Sequence, residues 1–569
     1  MTNKAKSVLV IFGKELPKKN EKWYRQFDKV LYQEETAQLT RPGSIHEASE
    51  LVGKLARLET KDGGRLSKLI NYKGYELWWM NCDTLYYRFC MPYTQYRDLL
   101  FYLKDFDKIY LFEPPYPDLF LHFSKAYRRE CFLLKKFQLR RFLPVPFGVL
   151  LQVLLSLVFL PLLMIARPGL MIWVGDKFDH PHDYDFRMKF IYGELRKRKI
   201  PFVEFIRSLE KWPVVLQHAW KRKRPVFYSA AVVFLIHFFV DPFNKNKKLI
   251  GSGEFSDPEQ CFLFLAASQY LRNAGGTIWS IRAVRFILRC IGVRVADISA
   301  GLGRNFHELL ACKLNNIITI GIQHGTPSRY YFVSDFMPGF DGRNTLSVDR
   351  YGLWSEWWRD YYIKNSHAYK PEQLFVSGPM RPLVRKEGRP DDAPRQNKGK
   401  LRVLYISEEV AAPQEVLPYI LTLLEAEDFE LCFKFRPYRD EFELWLKKNQ
   451  PELYRKILRT AKIFRSTMEE AVEQCDVTVG SYSTAVLEAL LQLKPFIYCW
   501  TKKWGDCYDI KSSGFNNLFA NTPQELIECI KRSREIPGED LKKLQEQFFG
   551  NPYQNGSAWA VDQIEKYLW

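Results

Sequence analysis

Residues 476–495 read as an acid, a short buried strand, a small-residue turn and an amphipathic helix closing on Lys494 and Pro495. A turn of that kind sets the hydroxyls of Ser481, Ser483 and Thr484 at a helix N-terminus. There the first free backbone N–H groups and the partial positive charge favour phosphate. Glu488, four residues beyond Thr484 and on the same helix face, can reach ribose hydroxyls from that side. The competing reading is structural, because Ser and Thr at a helix start are commonly N-caps and a mid-helix Glu is commonly solvated.

A second constellation is Gln323-His324-Gly325-Thr326-Pro327, which follows a strand-like run at 317–322. Gly325 lacks a side chain and lets a ligand approach, so His324 can act as a general base or donate a hydrogen bond to phosphate. The alternative is a histidine satisfied within a strand-end turn. A third group, Asp179-His180-Pro181-His182-Asp183, lies just past the run 170–175, at the carboxyl edge where α/β sheets place ligands. Asp183, His182 or His180 can take the proton of an acceptor hydroxyl, unless this is simply a polar surface loop. Pro181 holds the two histidines apart and no distant CxxC or HxxxH accompanies them, so no metal is expected. Gly301-Leu302-Gly303 lacks the third glycine of a dinucleotide fingerprint and reads as a tight strand-to-helix turn. Trp354, Trp357, Trp358, Tyr361 and Tyr362 have helical spacing, which favours core or interdomain packing over sugar stacking.

These groups sit in βαβ punctuation. Strand-like runs at 8–12, 75–79 and 108–112 precede a long apolar run, and others follow it at 170–175, 201–205, 294–299 and 317–322. A second set is expected at 351–354, 374–377, 401–406, 430–435, 477–480 and 495–500, with closing helices over 523–568. Strands alternating with helices imply parallel sheets with helices on both faces, hence two doubly wound sheets in tandem. The expected organisation is an N-terminal α/β region at 1–142, an apolar segment at 143–168, a Rossmann-like unit at 169–345 and a second one at 346–569.

Gly480-Ser481-Tyr482-Ser483-Thr484-Ala485, with Glu488-Ala489-Leu490 and Lys494-Pro495, resembles the C-terminal donor-site motif of GT-B glycosyltransferases. Gln323-His324-Gly325-Thr326-Pro327 resembles the His-Gly-Thr element of CDP-glycerol glycerophosphotransferases, bacterial polysialyltransferase-like enzymes and capsule-polysaccharide transferases. The resemblance implies two Rossmann-like domains facing across a cleft, with the donor nucleotide mainly on the C-terminal one and the acceptor on the N-terminal one. It further implies a metal-independent reaction, with no cofactor beyond the nucleotide-sugar substrate. The leaving diphosphate is then stabilised by helix dipole, hydroxyls and basic side chains, for which Arg436 and Lys434 are candidates beside Gly325 and Thr326. Lys434-Phe435-Arg436-Pro437 carries arginine where relatives often have histidine, which suits phosphate neutralisation and not proton transfer.

The bulk properties agree with a folded, multidomain chain. It has 569 residues, of which 47% are hydrophobic and 15% aromatic, enough apolar surface to offset the entropy of ordering. Lys and Arg outnumber acids 84 to 65, a net charge of +19 that favours an anionic partner. No nucleic-acid-binding module is recognisable. Eleven cysteines without CxxC spacing suggest a reduced compartment, and no secretory signal is evident.

The run Phe147–Ala166 holds no charge and is long enough to cross a hydrocarbon core. Basic residues on both flanks and Pro161 within it leave three readings: a re-entrant or monotopic insertion, a span, or a buried helix. A shorter run at 226–240 follows Lys221-Arg222-Lys223-Arg224 and is either interfacial or core. The expectation is therefore a glycosyltransferase on the cytoplasmic side of the inner membrane, peripheral, monotopic or single-pass. It would move a sugar from a nucleotide-sugar to a surface polysaccharide, such as capsule, or to a lipid-linked glycan. The alternatives are CDP-glycerol-type glycerophosphate transfer and a UDP-sugar epimerase-like isomerisation.

Overall fold

Runs of apolar and β-branched residues form the strands, and most are buried on both faces, as parallel sheets covered by helices require. The computed structural model describes residues 6–12, 24–32, 43–60, 63–114, 130–134, 145–174, 178–179, 184–185, 188–221, 225–243, 258–298, 306–331, 333–383, 399–408, 413–436 and 440–569. The strands β1 (Ser7–Ile11), β2 (Lys29–Tyr32), β3 (Lys108–Phe112) and β4 (Glu130–Leu134) make a small parallel sheet in the order β2-β1-β3-β4. The strand expected at 75–79 is instead one arm of a two-residue hairpin, Asn71–Tyr72 with Tyr75–Glu76, running into a 3-10 turn over Leu77–Asn81. Trp78 and Trp79 are buried there, and a helical turn lets the two adjacent rings enter one core that a strand would have split between two faces.

The first large sheet contains β5 (Leu170–Val174), β6 (Phe202–Ile206), β7 (Val226–Phe227), β8 (Val295–Asp297), β9 (Ile318–Ile322), β10 (Arg350–Leu353) and β11 (Leu374–Val376). Its order is β7-β6-β5-β8-β9-β10-β11, all parallel. The second contains β12 (Leu401–Ile406), β13 (Phe429–Lys434), β14 (Lys462–Phe464), β15 (Val477–Gly480), β16 (Phe496–Cys499) and β17 (Phe519–Ala520). Its order is β14-β13-β12-β15-β16-β17, again all parallel. Both sheets follow the doubly wound 3-2-1-4-5-6 order, with β11 as a seventh strand on the first. The direction of winding reverses between β5 and β8 in one and between β12 and β15 in the other. The expected α/β class with two Rossmann-like sheets in tandem, the GT-B arrangement, is what the chain adopts.

The boundary expected at 345/346 needs correction. Strands β10 and β11 pair onto β9, so the first sheet continues through Val376 and the second begins at Leu401. These two strands extend an existing sheet edge, and no periodicity in their sequence could say which sheet they join.

Helices α1 (Phe147–Ala166), α2 (Lys189–Lys197), α3 (Trp212–Lys221), α4 (Ser229–Val240), α5 (Pro258–Cys290) and α6 (Phe306–Lys313) accompany the first sheet. The 33-residue α5 is unforeseen by the strand–helix grammar. Its Gly276 lies against His237 and Asp241 at the end of α4, where a Cβ would collide with both side chains. After α7 (Glu356–Asn365) and the second sheet with its short α8 (Thr484–Leu487), α9 (Gly538–Phe549) leads to the final helix α10 (Gly556–Leu568), which returns to pack on β9 and α2. Asn555 caps α10 by accepting the Ala558 N–H at 3.0 Å. Arg198, the C-cap residue of α2, then reaches Asp562 and Glu565, each at 2.6 Å.

Candidate functional site

Ligands of doubly wound sheets sit outside the carboxyl ends of the strands where the winding reverses. In the second sheet that crevice lies between the ends of β12 and β15, and the turn after Gly480 occupies one lip. Ser481, the first residue past β15, is buried, and its backbone N–H donates to Oε1 of Glu408, two residues past β12. The Ser481 hydroxyl lies 3.4 Å from the Thr501 hydroxyl. A Cβ on Gly480 would press on Val486 and on Glu408 Oε1, so glycine is what lets the strand end and the carboxyl approach.

Glu408 is a site residue that sequence reasoning missed. It is 3% exposed, and its Oε2 has no hydrogen-bond partner among the described residues. Burial pushes its carboxyl up to about 8, against the Ser481 N–H and the Arg436 charge, which pull it down. The available signal was positional: Glu408 follows the first strand of the second sheet, at the point where the winding must reverse. The first sheet has a parallel feature. Asp297, at the end of β8 beside β5, is fully buried with neither carboxylate oxygen bonded among the described residues, and burial raises it to about 7.

The helix expected after the hydroxyl-rich turn is shorter than the sequence suggests. α8 has four residues and passes into a 3-10 segment over Glu488–Gln492, ended by Leu493 at φ 50. Lys494 is not on a helix: its Nζ donates to the carbonyls of Val472, Glu473 and Cys475 at 2.5 to 2.9 Å, tying the turn to the C-terminal end of the helix Met468–Glu473. A single turn sums few peptide dipoles, so the macrodipole is a smaller aid to anion binding than expected, and the charge of Arg436 a larger one. Ser483 is the N-cap residue, but its side chain makes no capping bond.

Thr484 has a definite partner. Its Oγ1 accepts the Thr326 N–H at 2.9 Å and lies 3.0 Å from the Thr326 hydroxyl. Thr326 Oγ1 is also 2.7 Å from the Tyr508 hydroxyl, and its carbonyl accepts from the Tyr482 hydroxyl at 3.0 Å. A Cβ on Gly325 would stand 3.2 Å from Thr484 Oγ1. The two motifs, more than 150 residues apart in sequence, therefore close on each other and join the sheets. Every polar backbone and side-chain group of Thr326 faces the second sheet, so Thr326 and Thr484 latch the two halves together. Tyr482 stacks on Trp504 at 3.9 Å beneath this contact.

The loop that carries His324 is braced on its other sides. Buried Gln323 accepts the Trp354 N–H on Oε1 at 3.0 Å and donates from Nε2 to the Gly325 carbonyl at 3.0 Å; its own carbonyl takes the Trp354 indole N–H at 2.7 Å. Downstream, Tyr330 stacks on His46 of the N-terminal region at 3.6 Å and its carbonyl accepts from Tyr86 at 2.6 Å. Burial, with Arg329 nearby, lowers the His46 pKa. His324 itself is half-buried at the mouth of this loop. The aromatic positions on and beside α7 act mainly in packing: Trp358 donates to the Phe548 carbonyl at 2.9 Å and stays buried, and Trp354 stacks on Phe549.

Lys434 is buried at the end of β13, with Nζ 3.3 Å from the Phe435 carbonyl; burial and then Arg465 lower its pKa. Glu488 is half-buried, and its pKa is raised by burial, against the pull of Arg381 and Lys434. Arg436 is placed by its N–H donating to Asp440 at 2.8 Å, while Asp440 also takes the Ser407 hydroxyl at 3.0 Å, which links the β12 and β13 ends. Asp183 and His182, with His180, lie outside the described residues. Among the described residues no group of three or more His, Cys, Asp or Glu is placed to hold a metal.

No protein-family model matches the chain, and no curated protein does. Among solved structures it is similar to S. aureus MnaA with UDP, at 12% identity over 70% of this chain and 96% of that one, TM-score 0.40. It is also similar to Acinetobacter baumannii MurG, at 11% identity, 70% and 100% coverage and TM-score 0.40. A third is the spinosyn rhamnosyltransferase SpnG with spinosyn aglycone, at 10% identity, 69% and 99% coverage and TM-score 0.41. Likeness at this level carries no argument about activity, which rests on the chain's own geometry.

Proposed function

We propose that the chain is a glycosyltransferase that binds a nucleotide-sugar at the crevice between β12 and β15 and transfers the sugar to a surface polysaccharide or lipid-linked glycan. The observation that supports this most is the meeting of the 323–326 loop with the 480–484 turn directly beside that crevice. The nucleotide phosphates would lie against Arg436, the Ser483 hydroxyl and the backbone of the turn. His324, held by the Gln323 braces, would face the reacting end of the donor from the opposite sheet. Two roles remain for His324: taking the acceptor proton, or donating to a phosphate oxygen as the nucleotide leaves. In this reading the charge of the leaving diphosphate is met by protein cations and N–H groups, so transfer should survive chelation by EDTA.

The test is incubation of the purified full chain with labelled UDP-, GDP- and CMP-sugars and CDP-glycerol, with and without a membrane glycolipid extract. Acceptor-dependent incorporation of a sugar that is lost in His324→Ala supports the proposal. Incorporation of glycerophosphate alone, or sugar isomerisation without acceptor, would replace it with one of the two alternatives.

A further inference from the structure

The apolar helix α1 packs along one stripe against the β7 edge of the first sheet, the loop before α3, and α3 and α4. Gly148, Val149, Gln152, Ser156 and Leu163 recur at helical spacing and are buried, so one stripe of the helix faces protein. Two of them are polar and sit mid-helix. Gln152 Nε2 donates to the Ser208 carbonyl at 2.9 Å, and Ser156 Oγ accepts the Tyr228 N–H at 2.9 Å while donating to the Gln152 carbonyl. Near the N-terminus Gly148 lies against the backbone of Glu210 and Trp212, too close for any side chain. From Gly148 to Leu163 this seam runs about 22 Å along the axis.

The opposite stripe is apolar and bare. Leu154, Leu157, Leu162 and Ile165 are 52 to 81% exposed, and only 22% of the helix's most apolar stretch is buried. α3 and α4 pack beside α1 and continue the surface, contributing Trp220, 92% exposed, and Phe239, 61% exposed. The three helices contain no carboxylate. Exposed cations border them, with Lys211 directly before α3 and Arg167 directly after α1, while of the bordering carboxylates Glu210 precedes Lys211 and Asp241, after α4, is tied to His237 and to the Gly276 N–H.

We infer that α1, α3 and α4 form one monotopic surface that lies in the plane of an anionic lipid leaflet, with α1 inserted sideways and not crossing the bilayer. A crossing helix would have to leave the sheet, stranding the Tyr228 N–H and the Ser208 carbonyl and carrying Gln152 and Ser156 into hydrocarbon. An in-plane helix keeps those bonds and buries only its bare stripe at the boundary between headgroups and acyl chains. The cations at the two ends of α1 decide between lipid and a second copy of the chain. In a two-fold antiparallel pairing Lys211 would approach Arg167 of the other copy, whereas anionic headgroups attract both. The inference is independent of sugar transfer.

The test uses the purified full chain in flotation with vesicles of phosphatidylcholine, with and without phosphatidylglycerol, at low and high salt. Binding should require phosphatidylglycerol and weaken with salt. The paired substitution Leu154→Glu and Leu157→Glu, both on the bare stripe, should reduce vesicle-bound protein about tenfold or more. Its melting temperature and any nucleotide-induced stabilisation should stay unchanged, which separates loss of lipid binding from misfolding. Cysteines introduced at Arg167 and Lys211, read against the wild-type labelling, should both react with an impermeant maleimide added outside sealed vesicles. Protection of one of them until the vesicles are opened would show a span and overturn the in-plane assignment. Undiminished flotation of the paired variant, or a discrete dimer that the substitutions dissolve in a chain that does not float, would overturn the lipid surface itself.

Discussion

Glu408 should be a liability to folding, and replacing it with glutamine should make the protein more stable. Its carboxyl is buried, with Oε2 unsatisfied, and holds its proton up to about pH 8, whereas the unfolded chain releases it near the ordinary value of 4.5. A group whose acid pKa is raised by folding costs nothing below its unfolded value. The cost grows as pH rises from 4.5 and is complete above 8. At pH 7 the gap from 4.5 spans about 2.5 pH units, and at about 1.4 kcal/mol each this is on the order of 3 kcal/mol as an upper figure. Glu408→Gln keeps an oxygen for the Ser481 N–H and removes the ionisation. Thermal unfolding of wild type and variant at pH 5 and pH 7.5 should show the variant more stable at pH 7.5, with the advantage shrinking toward pH 5. A variant less stable than wild type at pH 7.5, or a gap independent of pH, would refute the reasoning. Proteins keep such groups where ligands need them, so the same substitution should weaken nucleotide binding while it stabilises the apo chain.

Asp297→Asn should behave similarly in the first sheet, with the cost of the wild-type carboxyl growing from 3.8 and complete above about pH 7. Thr484→Val should cost about 1–3 kcal/mol in denaturant titrations, because it strands the Thr326 N–H at the latch between the sheets. Gly325→Ala should lower turnover by crowding Thr484 Oγ1, and Thr484→Ala in the same chain should relieve that loss, measurable as a double-mutant cycle. Glu443 has the opposite sign from Glu408. Its hydrogen bond to Arg465 holds its carboxyl down to about 2, so its stabilisation is present above 4.5 and lost as pH falls through about 2. Glu443→Gln should therefore destabilise at pH 7 and make little difference in acid unfolding below pH 2.

The tandem parallel architecture was legible because Leu170–Val174 is a continuous apolar run and Leu401–Ile406 an apolar run broken only by Arg402, each leading toward a helix, which a covered parallel sheet uses well. The two motifs were legible as separate pieces, from Gly325 and from the Ser-rich turn. Their contact through Thr326 and Thr484 was not, since nothing in a one-dimensional pattern reports a pairing across more than 150 residues. Pairing also hid the strand membership of β10 and β11. Glu408 carries no motif of its own, because its significance comes from strand order. The length of α8 was overestimated because the apolar periodicity continues through a 3-10 segment, where local spacing of buried residues changes little over one turn. Gln152 and Ser156 are the polar interruptions of an otherwise apolar run, and what they bond to decides how the helix lies.

The most direct measurement is hydrogen exchange of the full chain with and without the nucleotide that binds it best from a panel of UDP, GDP, CMP and CDP. The account predicts that this nucleotide protects the backbone at 404–408 and 478–484 together with 323–326. Tight binding that leaves all three segments unprotected would contradict it.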